Sequence, residues 1–301
     1  MMGFCLVAVA FSDPALVAAD GNTKEGLLWG ENFSAKVIQY EKGETVREPA
    51  ARPGSPSGKN RVFSRISQPT YTIHRAEAAR ANGVGLVICP GGGYNDVWLD
   101  REGHDLGLWL AKRGITSLVL KYRTNTRGED SGRPYEWDTY LPAVVSDARK
   151  AISILRARAA ELGLETDRIG ISGYSAGGHL AFSAGFDSRY WADGLGAQAK
   201  PNFVGLFYPW MWDGFDSVVA SNKELPPTFI MNGGPDQMTP AIRAVQLYSL
   251  LLERKAAAEL HVFGKGQHGF DLGDGRGESA ALWKHSFVAW LQDLGMISQV
   301  D

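Results

Sequence analysis

Along the chain, short continuous apolar runs alternate with longer stretches in which apolar residues recur at helical spacing. Val84-Gly-Leu-Val-Ile-Cys89, Ile115 to Lys121, Phe203-Val-Gly-Leu-Phe-Tyr208 and Thr228-Phe-Ile-Met-Asn232 are runs of strand length, most of them stopped by Pro or Gly. Such runs suit strands covered on both faces. Between them, Leu106, Leu108, Trp109, Leu110 and Ala111 fit a helix closed by Gly114, and the set Ala148, Ile152, Leu155, Ala159 and Leu162 fits a long helix from Val145. A helix from Pro240 to about Lys255, a strand from Glu259 to Phe263 and a closing helix with Trp283, Phe287, Trp290, Leu291 and Leu294 on one face complete the pattern. Strands alternating with helices predict an α/β domain: a mostly parallel central sheet flanked by helices on both faces. Sites in such folds form beyond the C-terminal ends of the strands.

The pattern is weaker in three places. Val62 to Ile66 and Pro69 to His74 have the short β-rich character of a hairpin or of edge strands. Residues 20–60 are polar, with Pro49, Pro53, Gly54, Pro56 and Gly58 in a loose run, which predicts an N-terminal extension crossing the surface of the main α/β domain, which spans 61–301. Arg123 to Tyr140 is rich in Gly, Asp, Arg and aromatics and reads as a surface loop near the site. At the very start, Phe4 to Phe11 is apolar and Val17-Ala-Ala19 offers small residues before Asp20, so residues 1–19 resemble an export signal without its basic segment. Periplasmic or secreted localisation is the expectation, with a short buried N-terminal segment in a cytoplasmic protein as the alternative.

Between Ile169-Gly-Ile171 and a small-residue helix lies Gly173-Tyr-Ser175-Ala-Gly177. It has the spacing of a nucleophile elbow: a serine on so sharp a turn needs neighbours two residues away that lack side chains. With 36 glycines in 301 residues, such flanking arises by chance roughly 0.3 times among the 20 serines, so the pentapeptide gains its meaning from the strand before it and the helix after it. A serine hydroxyl needs a base, commonly a histidine held by a carboxylate, and in this fold the order is serine, acid, histidine. That limits the base to His261, His268 or His285, of which His268 sits in a flexible loop just after a strand. Asp236, two residues past Gly234 and beyond the end of a strand, is the favoured acid, with Asp213 and Asp216 as alternatives. Pro90-Gly91-Gly92-Gly93-Tyr94 follows a core strand, and the amides of Gly92, Gly93 and Ala176 are the candidate oxyanion donors. Tyr94, Tyr174, Trp210 and Trp212 are the candidate substrate contacts, and Tyr135, Trp137 and Tyr140 would add stacking surface.

These blocks, together with Glu102-Gly-His-Asp105, Leu120-Lys-Tyr122, Pro226-Pro-Thr228 and Gly266-Gln-His-Gly269, resemble the α/β-hydrolase superfamily over roughly residues 60 to 295. They are most similar to its acetyl xylan esterase and feruloyl esterase-like members. The resemblance implies a serine carboxylic-ester hydrolase acting on an ester substrate, an acetylated plant or algal saccharide first and a feruloyl or aryl ester next. It departs from the family at Pro235, where an Asp or Asn commonly precedes the acid. Glu102-Gly-His-Asp105 is expected to cap the helix behind the oxyanion loop.

Two rivals share the architecture: a peptidase of the prolyl-oligopeptidase kind, and a binding module that keeps the fold without the chemistry. The net charge of −2 gives no reason for a nucleic-acid partner, and the N-terminal apolar stretch is too short for stable membrane insertion. Two cysteines and six histidines in no close cluster argue for no metal, and the chemistry requires no organic cofactor. Nothing in the pattern speaks to oligomeric state.

Overall fold

The computed structural model describes residues 25–31, 33, 38–127 and 135–297, so the export-signal reading of residues 1–19 lies outside the described residues. In chain order the strands and helices are β1 (Gly26–Leu27), β2 (Thr45–Arg47), β3 (Val62–Ser64), β4 (Thr70–His74), β5 (Gly85–Cys89), β6 (Asp96–Trp98), α1 (Asp105–Ala111), β7 (Thr116–Lys121), α2 (Trp137–Ala157) and α3 (Ala159–Leu162). They continue with β8 (Ile169–Tyr174), α4 (Ala176–Phe186), β9 (Val204–Phe207), α5 (Phe215–Ser221), β10 (Thr228–Gly233), α6 (Ala241–Glu253), β11 (Ala258–Phe263), α7 (Glu278–Ala281) and α8 (Trp283–Asp293).

The main sheet has eight strands in the order β1-β4-β7-β5-β8-β9-β10-β11. From β7 to β11 every pair is parallel; β4 and β1 are added antiparallel at one edge. Every residue of β5, β7, β8, β9 and β10 is buried, as their uninterrupted apolar runs require, because helices cover both faces. On one face α1 and α8 lie together, with Trp109 edge-on to His285 at 5.1 Å. The aromatic side of α8 packs Trp283 on Phe207 and Phe287 on Phe229, each such large side chain contributing about 2–3 kcal/mol by removal from water. On the other face α2 and α4 pack on β5 and β8. Helix α4 is buried along its whole length, which its Ala, Gly and Ser content permits by letting it lie close to the strands.

After β5 the chain moves to β7 on one side and then crosses back to β8 on the other. The order of strands therefore reverses between β5 and β8, and a crevice opens where their C-terminal ends diverge. Both glycine motifs sit at that point.

The structure corrects four expectations. Val62 to Ile66 and Pro69 to His74 do not pair with each other: β3 joins β2 and β6 in a separate antiparallel sheet, whereas β4 joins the main sheet between β1 and β7. The long helix starts at Trp137, eight residues before Val145. Trp137, Tyr140, Leu141, Val144, Val145 and Ala148 already follow helical spacing, and Pro142 in the second turn hides the continuity. Arg123 to Thr126 at the start of the supposed surface loop is buried, with Arg123 bonded through Nε to Asp147 Oδ2 at 2.8 Å. Lastly, Glu102-Gly-His104 does not cap α1 but belongs to a π-helical turn over Asp100–His104, in which Asp100, Glu102 and His104 are buried.

Candidate active site

Ser175 follows β8 directly and precedes α4, at φ 52° and ψ −117°, a conformation that side-chain-bearing residues seldom adopt. The flanking glycines explain how the turn closes. A Cβ on Gly173 would stand 2.0 Å from the Gly177 carbonyl oxygen, and one on Gly177 would stand 2.0 Å from that of Cys89. The chain is thus drawn tight between β5 and α4, and the Ser175 hydroxyl is left at the crevice. Its backbone is tied to the next strand, with Ser175 N–H donating to Phe207 O and Trp210 N–H to Ser175 O.

His268 comes from the loop after β11 and Asp236 from the turn after β10. Ser175 Oγ lies 2.9 Å from His268 Nε2, and His268 Nδ1 lies 2.8 Å from Asp236 Oδ2. The two loops are in close contact: a Cβ on Gly233 would stand 1.7 Å from the Gly266 carbonyl oxygen. Asp236 accepts further bonds from the amides of Met238 and Thr239 at 2.9 Å each and from the Thr239 hydroxyl at 2.7 Å. Burial alone would raise its carboxyl, but the bonds from His268 and Thr239 outweigh it and hold the group below the ordinary carboxylate value. An ionised Asp236 makes Nδ1 the protonated nitrogen and leaves Nε2 as acceptor for the serine proton. Pro235 does not disturb this contact. Asp213 is exposed and paired with Arg243, His261 bonds Glu259 at 2.6 Å on β11, and His285 lies against Trp109 on α8; none meets Ser175.

The glycine run after β5 divides in function. Gly91 donates its amide to Glu102 Oε2 at 2.8 Å, and a Cβ there would stand 3.0 Å from that of Ser175. Among the described residues, the amides of Gly92, Gly93 and Ala176 donate to no protein acceptor. Ala176 opens α4, where the amides of a first turn lack partners within the helix.

Of the aromatic candidates, Tyr174 is corrected: it is fully buried beneath the sheet against Phe207, Tyr208 and Trp283, because the residue before the serine still belongs to β8 and points away from the crevice. Tyr94 is also largely buried and bonds His179 Nδ1 through its hydroxyl at 2.6 Å, a contact that burial supports by pushing the imidazole down to about 3 and keeping it neutral. Trp212 stands edge-on to His179 at 4.4 Å. Among the aromatic candidates in the described residues, the most exposed are Trp210, 38% exposed and bonded through its amide to Ser175 O, and Trp137, 37% exposed and 5.9 Å from Trp210. Thr239 and Tyr208 are polar partners of the site that the sequence pattern does not single out, and Glu102, expected there only as a helix cap, is a third.

Among the described residues no group of three or more His, Cys, Asp or Glu could hold a metal, and no helix is long and apolar enough to cross a membrane. A groove of about 550 Å³ lined by Arg156, Asp167, Trp191 and Lys200 lies at the N-terminal ends of β8 to β10, opposite Ser175.

A family described as BD-FAE matches residues 87–195, the segment holding the glycine run after β5, the elbow and α2. An acetylxylan esterase of Xylanibacter ruminicola is 28% identical over 71% of this chain and 45% of its own length. The chain spans about half the length of the curated relatives it matches. A propionate-bound thermophilic esterase of Thermogutta terrifontis superposes with a TM-score of 0.65 at 20% identity, over 83% of this chain and 98% of the other. The acetyl ester-xyloside bifunctional hydrolase of Caldicellulosiruptor lactoaceticus does so at 0.61 and 24%, over 77% and 90%. The reversal of strand order, the elbow at its centre and these likenesses make the chain an α/β-hydrolase by fold, resembling in sequence the acetyl xylan esterases of that superfamily.

Proposed function

We propose that the protein is a serine carboxylic-ester hydrolase that removes small acyl groups, acetyl first, from a plant or algal polysaccharide. The observation that carries this reading is the unbroken chain of contacts from Ser175 Oγ through the His268 imidazole to Asp236, with unpartnered amides beside it. His268 Nε2 takes the serine proton as Oγ attacks the ester carbonyl; the amides of Gly92, Gly93 and Ala176 receive the oxyanion; the imidazolium then protonates the departing alcohol. Water, activated by the same imidazole, releases the acyl group. Asp236 holds the tautomer and balances the imidazolium charge without taking the proton. A second reading, an aryl ester such as a feruloyl group, is favoured by the exposed indoles of Trp137 and Trp210 beside the serine.

Ser175→Ala should abolish hydrolysis of 4-nitrophenyl acetate and labelling by a fluorophosphonate; unchanged turnover rejects the mechanism. Side-by-side rates on acetylated xylan, feruloylated arabinoxylan and a peptide amide assign the acyl class, and faster amide cleavage would favour a peptidase.

A further inference from the structure

Glu102 is a buried carboxylate, 2% exposed, set by the π-helical turn between the oxyanion run and the histidine loop. Its Oε2 accepts the Gly91 amide at 2.8 Å, and its Oε1 accepts the Tyr208 hydroxyl at 2.9 Å. The Tyr208 ring stands edge-on to the His268 ring at 5.2 Å, and its oxygen accepts the Asp271 amide at 3.3 Å. Gly269, next after His268, lies against the same carboxylate: a Cβ there would be 3.9 Å from Oε1. The Gly269 carbonyl is held from outside by Arg52 Nη2 at 3.1 Å. Burial keeps the Tyr208 phenol neutral, so it remains a donor. Arg101 at 4.0 Å and Arg52, paired with Asp271, supply the positive charge that two neighbouring buried carboxylates need.

We propose, on the serine-hydrolase reading above, that Glu102 is the positioning residue that registers the oxyanion loop against the His268 loop, holding Gly91 with one oxygen and Tyr208 with the other. Two donors converge on it from two different loops, and only a carboxylate accepts at both ends. A glutamine has one acceptor oxygen. Either its amide nitrogen faces the Gly91 N–H, donor against donor, or it faces the Tyr208 oxygen and leaves the phenol proton without an acceptor. Because the run of Gly92 and Gly93 continues from Gly91, a shift at this root moves the proposed oxyanion donors relative to Ser175. A misplacement near 1 Å costs on the order of 100-fold in rate.

The test is kcat per titrated active site in the full-length chain, with a fluorophosphonate taken to completion to count competent serines and 4-nitrophenyl acetate as substrate. Counting sites removes any loss due only to unfolded protein, which a purely structural role would produce. Glu102→Gln should lower kcat per site by roughly 30–100-fold, with KM within about twofold. Tyr208→Phe, which keeps the ring on His268 and removes only the hydroxyl, should lower it by about 5–10-fold. A per-site kcat within about twofold of the unsubstituted protein overturns the assignment, read from Glu102→Gln, or from Tyr208→Phe should the glutamine variant be insoluble. An unsubstituted protein that neither labels nor turns over would instead defeat the hydrolase reading itself.

Discussion

Asp236→Asn changes one atom, and the surrounding bonds state what must follow. Asp236 Oδ1 accepts the amides of Met238 and Thr239, so the asparagine oxygen takes that side, where two donors already point. Its NH₂ then faces His268 Nδ1 and the Thr239 hydroxyl, which Oδ2 had accepted at 2.8 and 2.7 Å. The hydroxyl turns and accepts. The imidazole, meeting a donor, must present Nδ1 as acceptor and carry its proton on Nε2, facing Ser175 Oγ at 2.9 Å. In that tautomer it cannot take the serine proton. The expected loss is about 10⁴-fold in kcat, or roughly 5 kcal/mol of transition-state stabilisation. Folding should fall by only about 1–2 kcal/mol, since the two bonds to Oδ2 are replaced by bonds from the amide rather than lost. The assay is kcat for 4-nitrophenyl acetate on protein whose unfolding midpoint has been measured separately. A variant that keeps more than about a tenth of the activity would refute the view that Asp236 sets the tautomer.

Two further outcomes follow from packing and burial. Gly177→Ala would force a methyl into the carbonyl oxygens of Cys89 and Pro90, at 2.0 and 2.4 Å, so we expect about 3 kcal/mol or more of destabilisation in urea unfolding and loss of activity; a stable, active variant would show that the elbow has slack. His74, His104 and His179 are buried and their imidazoles pushed down by desolvation, His74 to about 4, so each unfolds with uptake of a proton below the ordinary histidine value. Asp271, whose carboxyl burial pushes up to about 7, acts with the opposite sign: below that pH the folded protein takes up its proton while the unfolded chain stays ionised, and this offsets part of the loss. The balance is loss of stability as pH falls from about 6.5 toward 4, at roughly 2 kcal/mol per pH unit near pH 5.5, and a flat urea-unfolding free energy across that window would contradict it.

Much of this protein is legible without coordinates because local chemistry forces it. Strands β5, β7, β8, β9 and β10 announce themselves as apolar runs, since a strand covered on both faces has no polar side to interrupt it. The elbow is equally explicit: the turn at Ser175 leaves no volume for a Cβ at Gly173 or Gly177, so the glycines are written into the chain. What folding alone decides is distance between residues far apart in sequence. Ser175 and His268 are 93 residues apart and meet at 2.9 Å only because β8 and the loop after β11 end at the same rim of the sheet. Glu102 shows the limit most clearly. In the sequence it is one acid before a helix, read as a cap; in the fold a π-helical turn points it inward, where Gly91 and Tyr208 converge on it. Tyr174 errs in the other direction, since proximity to the serine along the chain suggested contact with substrate, whereas strand alternation turns its ring under the sheet. Periodicity records which residues are buried, but the partner that a buried polar group finds there is a property of strand order and loop closure.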